Sequence, residues 1–193
     1  PDCRAVVVIG RRITRGSLRG WEEGTNRDIY EMFGYSWLDK QFVALTNYEA
    51  AEWLEDRGWE ATPVMCYPPD MPAQGVAVRE GRPAPNVTID MQYAAVAAGL
   101  GEIGLHGLFL SSRFGPRQRF QIVITDAPLE ADPICERTIC SACGACATIC
   151  PLGAIDTGNT REVTIAGKVM RVATVDESKC RRCANGARPN ALY

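Results

Sequence analysis

The apolar positions in the N-terminal two thirds of the chain follow strand-like and helix-like patterns in turn. The β-branched run at residues 5–9 predicts a buried strand, and residues 61–65 predict a second one. Residues 11–25 are polar and rich in glycine, which predicts a loop. Apolar side chains recur near helical spacing over residues 37–57, and Gly58 is placed as a C-terminal cap. This stretch is therefore the longest predicted helix.

The apolar face of that predicted helix is formed by Phe42, Leu45, Tyr48, Trp53 and Leu54. A shorter helix is predicted over residues 90–98, with Thr88 or Asp90 as its N-cap and Gly99 at its end. Two more strands are predicted at residues 108–110 and 119–125, joined through residues 114–117. In the second of them, Phe120, Ile122 and Ile124 face the same side.

The C-terminal third has a different organisation. Residues 126–133 contain two prolines and three acids, which is typical of a linker. Farther along, two short β-branched runs at residues 163–165 and 169–172 flank Ala-Gly-Lys, which predicts a β-hairpin. The pattern therefore predicts an α+β protein with two domains, residues 1–130 and residues 131–193.

The charge and apolar content of the chain exclude some classes of function. The 193 residues carry 21 Lys and Arg, 23 Asp and Glu, and a net charge of −2, which argues against binding to nucleic acid through a basic stripe. No run of about 18 apolar residues is present, so no membrane span is expected. The start resembles neither a signal peptide nor an initiator Met, so we expect a fragment or a processed form.

The cysteines are spread unevenly, since seven of the nine lie between Cys135 and Cys183. A secreted disulfide scaffold is short and rich in cysteine throughout, so this pattern instead predicts a metal site in a reducing compartment, the cytoplasm. Of the other two, Cys3 and Cys66 are expected to be small buried hydrophobic residues. The single histidine, His106, is interpreted as a surface or satisfied core residue rather than a ligand.

The strongest motif is Cys140-x2-Cys143-x2-Cys146-x3-Cys150, followed by Pro151. This spacing is that of bacterial ferredoxins, in which the fourth cysteine ligates the other cluster of a two-cluster protein. Small residues between the cysteines let the backbone approach the inorganic core. Structural zinc is the alternative, but zinc sites usually combine two separated cysteine pairs. The motif therefore favours a [4Fe–4S] cluster.

A second cysteine group, Cys180-x2-Cys183, is incomplete because Gly186 and Asn190 stand where further ligands would follow. Three interpretations remain open. A second cluster takes Cys150, Cys180 and Cys183, and its missing ligand lies beyond the end of the chain. Alternatively, one cluster borrows Cys180 or Cys183, or Cys135 supplies the missing ligand. Two clusters in the intact protein, with a C-terminal domain truncated here, are the favoured interpretation.

Two further features resemble binding motifs. Gly99, Gly101 and Gly104 match G-x-G-x-x-G, yet the match follows a helical pattern and precedes a strand, the reverse of the dinucleotide-binding order. These glycines are candidates for cofactor binding, but the expected role is a tight turn with positive φ. Arg113, Arg117 and Arg119 are interpreted as a solvated hairpin tip rather than an anion site.

Several stretches together resemble one family. Residues 94–104 (AAVAAGLGEIG), 108–116 (LFLSSRFGP) and 124–129 (ITDAPL), followed by the cysteine motif, are similar to the epoxyqueuosine reductase and reductive dehalogenase group. Members of that group join a nitroreductase-like α/β domain to a ferredoxin-like domain with two clusters. The resemblance thus implies a nitroreductase-like N-terminal domain and a C-terminal ferredoxin-like 4Fe-4S domain.

The resemblance also implies an iron–sulfur oxidoreductase whose clusters relay electrons to a cofactor or substrate held by the N-terminal domain. The well-studied members of the group hold a corrinoid, so the resemblance implies cobalamin as the candidate cofactor. Asp90 is the nearest candidate for the proton donor of the epoxyqueuosine reductases, although the local sequence differs. The expected partners are an electron donor or acceptor protein and a small-molecule substrate. The alternative is a ferredoxin-like electron-transfer subunit that docks on a separate catalytic partner and has no corrinoid of its own.

Overall fold

A computed structural model describes residues 3–65, 75–77, 80–81 and 89–183. The chain divides into two units, the first made of residues 1–94 and 117–131, the second of residues 95–116 and 132–193. The predicted domains, residues 1–130 and 131–193, stay a prediction, and in the structure the contacts of residues 95–116 group them with the cysteine-rich part. These residues belong with the cysteine-rich part because, for example, the Ala173 N–H donates to the Leu105 carbonyl at 2.8 Å.

The strands are β1 (Ala5–Arg12), β2 (Ala61–Val64), β3 (Glu102–Ile103), β4 (Phe109–Leu110), β5 (Gln118–Thr125), β6 (Ile155–Ile165) and β7 (Lys168–Val175). The helices are α1 (Arg15–Glu22), α2 (Asp28–Tyr30), α3 (Ala44–Glu55), α4 (Met91–Ala97), α5 (Ala145–Thr148) and α6 (Glu177–Cys180). Two π-helical segments, Glu31–Ser36 and Leu38–Val43, connect α2 to α3. The first unit thus contains one long helical stretch rather than a helix beginning near residue 37.

The sheet of the first unit has the order β1-β5-β2, with β5 antiparallel to both neighbours. The centre of β5 is buried on both faces, with Gln121, Ile122 and Val123 at most 1% exposed. The predicted strand is confirmed, and Phe120, Ile122 and Ile124 share one side of it as expected, while the burial of the residues between them shows that the other side is covered too. The predicted strand at residues 5–9 continues to Arg12 and is only partly buried, since β1 lies at the edge.

Helix α3 packs on this sheet through Ala51 and Leu54, which join a core cluster with Val123. The apolar face predicted for this helix is wrong in part. Leu45, Tyr48 and Trp53 are more than half exposed. The buried positions are instead Asn47, Ala51 and Leu54, which follow helical spacing.

Turn residues in the sequence predicted the ends of helices and strands better than the apolar pattern predicted the buried face of α3. Gly58 has φ +86°, and its N–H donates to the Glu55 carbonyl, as expected of a glycine that ends a helix. The hairpin of β6 and β7 turns through Ala166 and Gly167, both with positive φ, which is the geometry of a two-residue hairpin loop. The loop predicted over residues 11–25 is wrong, because β1 ends at Arg12 and α1 occupies Arg15–Glu22.

The segment expected to join residues 108–110 to residues 119–125 does not form a hairpin between them. Strand β4 pairs with β3 in the second unit, while β5 pairs within the first. Arg119 accordingly does not lie at a solvated tip. Its guanidinium donates to the Gly34 carbonyl and stacks over the Tyr35 ring at 4.8 Å.

Candidate metal centre

The candidate metal centre is built on residues 131–153, which we call the cysteine segment. It contains Cys140, Cys143, Cys146 and Cys150, all of which are free thiols. Ala142 (φ +54°) and Gly144 (φ +74°) adopt left-handed backbone conformations on either side of Cys143. A residue other than glycine rarely takes this conformation, so the loop is tightly curled where the motif is densest. Helix α5 begins directly after Gly144 and carries Cys146.

Backbone amides donate to the sulfur atoms of the first and last cysteines of the motif. The Leu105 N–H donates to Cys140 Sγ at 3.3 Å, and the Ala154 N–H donates to Cys150 Sγ at 3.3 Å. Amide-to-sulfur hydrogen bonds are a principal means by which a protein tunes the potential of an iron–sulfur cluster. The first and last cysteines of the motif thus already have the surroundings that thiolate ligands require.

The pKa values of two thiols are displaced toward the ligating form. The Ala154 N–H, with smaller contributions from neighbouring amides, lowers the pKa of Cys150. The Ala145 N–H and then the Ser141 side chain lower the pKa of Cys143. Because the thiolate is the form that binds metals, these hydrogen bonds favour the metal-binding form of both side chains. The donor set of four free thiols in this spacing fits an iron–sulfur cluster.

The second cysteine group lies at the end of the described chain. Asp176 caps helix α6 by accepting the Lys179 N–H at 3.1 Å, and Cys180 ends that helix. The Cys183 N–H donates to the Cys180 carbonyl at 3.1 Å, so one turn connects the two cysteines. Cys180 is exposed and Cys183 is half-buried. Gly186 and Asn190, where the motif departs from a complete one, lie outside the described residues.

The remaining cysteines behave differently. Cys3 is exposed, so its predicted burial is wrong, and Cys66 lies outside the described residues. The Cys135 thiol contacts the Arg137 carbonyl at 3.8 Å. Within residues 3–65 and 89–183, no three cysteine, histidine or carboxylate side chains converge on a position for one metal ion. A cubane binds each thiolate at a separate iron atom, so the ligands of a cluster need not converge on one point.

The glycines of the G-x-G-x-x-G match allow close backbone approach. A Cβ on Gly101 would lie 2.0 Å from the Leu110 carbonyl oxygen, and one on Gly99 would lie 2.2 Å from the Pro133 oxygen. Of these three glycines, Gly99 alone has the positive φ expected of a turn. A Cβ on Gly104 would lie 2.6 Å from the Leu110 side chain. Packing accounts for all three, and a role in cofactor binding stays a prediction.

Asp90 is confirmed as the N-cap of α4. Its Oδ1 accepts the N–H groups of Gln92 and Tyr93 at 2.9 and 3.1 Å. A catalytic role for this carboxylate stays a prediction. Thr88, the other predicted cap, lies outside the described residues. In the first unit, a cavity of about 350 Å³ is lined by Arg11, Arg12, Thr14, Ser17, Phe33, Leu38 and Phe42, and Asp90 is not among them.

His106 accepts a hydrogen bond from the backbone close to it in sequence. Its Nδ1 accepts the Leu108 N–H at 3.0 Å, which agrees with the interpretation of a satisfied residue. Burial lowers the pKa of His106. The neutral ring is therefore the form that makes this hydrogen bond, because a protonated Nδ1 has no lone pair to accept with.

Sequence reasoning missed two residues beside the first cysteine. Glu102 accepts the Cys140 N–H, and Lys168 forms an ion pair with Glu102 at 3.0 Å. These two residues are 66 positions apart in the chain and belong to no motif. The only available signal was an acidic residue inside the apolar stretch that follows Gly101.

Comparison with known proteins gives both sequence and structural relatives. Tetrachloroethene reductive dehalogenases from Desulfitobacterium hafniense and from Dehalobacter restrictus are each 45% identical to this chain over 64 residues. That stretch is 32% of this chain but only 12% of each relative. No family model matches the chain. The chain is thus homologous to reductive dehalogenases over this stretch and spans a small part of their length.

Solved structures show the same likeness. The chain resembles the catabolic reductive dehalogenase NpRdhA with a TM-score of 0.58 and 19% identity, over 94% of this chain and 23% of that one. A second structure, described as suggesting a mechanism for B12-dependent dehalogenation, gives a TM-score of 0.57 and 20% identity, over 92% of this chain and 23% of that one. The mixed α+β fold therefore resembles part of the reductive dehalogenase structure.

Proposed function

We propose that this chain is the iron–sulfur portion of a reductase of the reductive dehalogenase type. One observation carries the proposal: a ferredoxin-spaced cysteine motif lies on a tightly curled loop, with backbone amides donating to Cys140 and Cys150. The homology to reductive dehalogenases supports it independently. When bound, a [4Fe–4S] cluster accepts and donates single electrons.

The proposed ligands are Cys140, Cys143, Cys146, Cys150, Cys180 and Cys183. The protein's part is to present thiolates and to donate backbone N–H groups to them, as Leu105 and Ala154 do. Six thiolates exceed the need of one cubane. We therefore propose two clusters that take further ligands in addition to these six. The proposal includes a nitroreductase-like first domain. It also includes epoxyqueuosine reduction as an alternative reaction.

A small-molecule substrate and an electron-donating protein are the proposed partners. Cobalamin is proposed as the electron-accepting cofactor because one structural relative is described in terms of B12-dependent dehalogenation. No described residue of this chain is assigned to the corrinoid. The free thiols support a reducing compartment, for which we propose the cytoplasm. None of the helices in the described ranges is both long and apolar enough to cross a bilayer.

Anaerobic reconstitution of the chain with iron and sulfide tests the proposal. We expect about four or eight irons per chain with matching acid-labile sulfide, and a broad visible absorbance that bleaches with dithionite. The double variant Cys143→Ser, Cys146→Ser is expected to lose this absorbance, whereas Cys3→Ser retains it because Cys3 is outside the motif. Stoichiometric zinc without sulfide would overturn the proposal.

The corrinoid is tested separately. Titration of the reconstituted chain with cobalamin is expected to shift the corrinoid absorption bands if this portion contributes to its binding. Unchanged bands with an intact iron–sulfur signal would favour the electron-transfer subunit over the enzyme.

A further inference from the structure

The second unit contains a buried carboxylate that the metal ligands do not account for. The Glu102 side chain is 5% exposed and lies on β3, which pairs with β4. A buried carboxylate is costly unless its charge is paired and its oxygens accept hydrogen bonds. The charge of Glu102 is therefore expected to be balanced by groups that lie directly beside it.

Both carboxylate oxygens are engaged. Oε1 accepts the backbone N–H groups of Ile139, at 2.8 Å, and of Cys140. Oε2 lies 3.0 Å from Nζ of Lys168. Such charge-assisted hydrogen bonds are shorter and stronger than neutral ones. One side chain thus binds the backbone of the first proposed ligand directly.

Lys168 completes the arrangement from the other side. Its side chain is 12% exposed, and its ammonium group donates to the carbonyls of Cys135 and Arg137 as well as pairing with Glu102. An ammonium group has three donors, and all three are used here. Lys168 is the first residue of β7, directly after the tight turn of the hairpin, so its backbone is firmly placed.

The two side chains together fix a stretch that has no regular secondary structure. Between residues 135 and 140, two carbonyls bind Lys168 and two amides bind Glu102. Leu105, three residues after Glu102, donates its N–H to Cys140 Sγ. The β3 strand and the turn after it therefore hold both the amide and the sulfur of the same cysteine.

We propose that Glu102 and Lys168 form a clasp that positions Cys140 and adjusts the electrostatic potential at its sulfur. This inference rests on the proposed iron–sulfur function. Outer partners that orient a metal ligand typically change metal affinity or activity about 10–100-fold when they are replaced. A negative charge beside a cluster disfavours its reduction, and the paired ammonium offsets that charge.

The test compares Glu102→Gln with the wild-type chain after anaerobic reconstitution. Glu102→Gln keeps the shape of the side chain but removes its charge. We expect iron loss to a chelator about tenfold faster than in the wild type. The midpoint potential, measured by spectroelectrochemical titration, is expected to shift upward, because a positive charge then remains unbalanced near Cys140.

The double variant Glu102→Gln, Lys168→Gln separates charge from simple loss of packing. Because it removes both charges, its potential is expected to return toward the wild-type value, whereas a merely structural defect would persist or grow. Glu162→Gln is the matched control. Glu162 is exposed on β6 of the same unit and lies outside both the cysteine segment and α6, so no change is expected.

The outcomes distinguish the two proposals. A wild-type chain that takes up no iron and sulfide would refute the proposed function. A wild-type chain with its cluster, beside Glu102→Gln with unchanged chelation rate and potential, would refute the clasp alone. If Glu102→Gln does not fold, Lys168→Gln takes its place, and the clasp then requires a downward shift in potential; an unchanged potential would overturn it.

Discussion

Strand β5 and the cysteine segment are close in sequence but are stabilised in different ways. In β5, Ile122 and Val123 are fully buried, and the strand has a hydrogen-bonded neighbour on each side. In the cysteine segment, residues 131–153, no residue is buried. Its conformation depends on hydrogen bonds to side chains and sulfur atoms, as Glu102, Lys168 and the thiols show.

The difference shows where each part obtains its stability. Burial of apolar surface stabilises β5 without help from any other molecule. The cysteine segment has little apolar burial to offset the entropy of ordering its backbone. Metal binding to such a segment contributes directly to its folding free energy. We therefore expect the cysteine segment, but not β5, to depend on its metal centre.

The largest expected effect comes from removing ligands. In Cys143→Ser, Cys146→Ser, amides of the cysteine segment are expected to exchange with solvent at least about tenfold faster than in the reconstituted wild type. Amides of β5 are expected to keep their protection. Hydrogen–deuterium exchange read by mass spectrometry measures both at once, with Cys3→Ser as control. Equal loss of protection in β5 would contradict the contrast between the two regions.

The reciprocal change is made in β5. Ile122→Ala removes a side chain that is 0% exposed and is expected to cost about 2–5 kcal/mol of unfolding free energy in the first unit. Iron content and visible absorbance are expected to stay at wild-type levels. Val6→Ala, at a position 47% exposed on β1, is the matched control and should cost much less. Denaturant unfolding followed by far-ultraviolet circular dichroism provides the measurement.

A smaller effect on the first unit is expected from two glycines of α1. Nothing lies within 4 Å of a Cβ placed on Gly16, so Gly16→Ala should stabilise the first unit by about 0.5–1 kcal/mol. A Cβ on Gly20 would lie 2.2 Å from the Asn26 carbonyl oxygen, so Gly20→Ala should destabilise it. Thermal unfolding of the two variants tests the sign. The same sign for both would show that α1 does not pack as described.

The smallest expected effect is on the pH dependence of the second unit. Burial lowers the pKa of His106, so the unfolded chain binds a proton more readily than the folded one. The stabilisation is therefore present above the ordinary histidine pKa near 6.5 and is lost as the pH falls through the lowered value. His106→Asn keeps an acceptor for the Leu108 N–H and should remove this dependence, which melting temperatures at about pH 7.5 and about pH 5.5 would show.

Local chemistry in the sequence predicted the parts of this structure that local interactions determine. The caps at Gly58 and Asp90, the turn at Gly167 and the ferredoxin spacing were all visible, since each depends on a few neighbouring residues. Helix α1 was missed because its two glycines suggest a loop, while its stability comes partly from Leu18 packing on Ile13 and its neighbours.

Long-range features left no such trace. Glu102 and Lys168 come together only because the chain folds, and neither lies in a pattern that predicts a partner. The apolar face predicted for α3 was wrong in part for a similar reason. Asn47 occupies a core position, 1% exposed, where its amide donates to the Ile122 carbonyl at 3.0 Å. A polar residue at that position shifts the apparent apolar stripe toward side chains that face solvent.

The strand order β1-β5-β2 has a consequence for synthesis. The central strand of the sheet is the last of the three to leave the ribosome, and residues 95–116 of the other unit precede it. Until residue 125 has emerged, β1 and β2 lack the neighbour that both require, and each presents an unpaired edge. A nascent or prematurely terminated chain that lacks Gln118–Thr125 is therefore the form most exposed to aggregation and in greatest need of a chaperone.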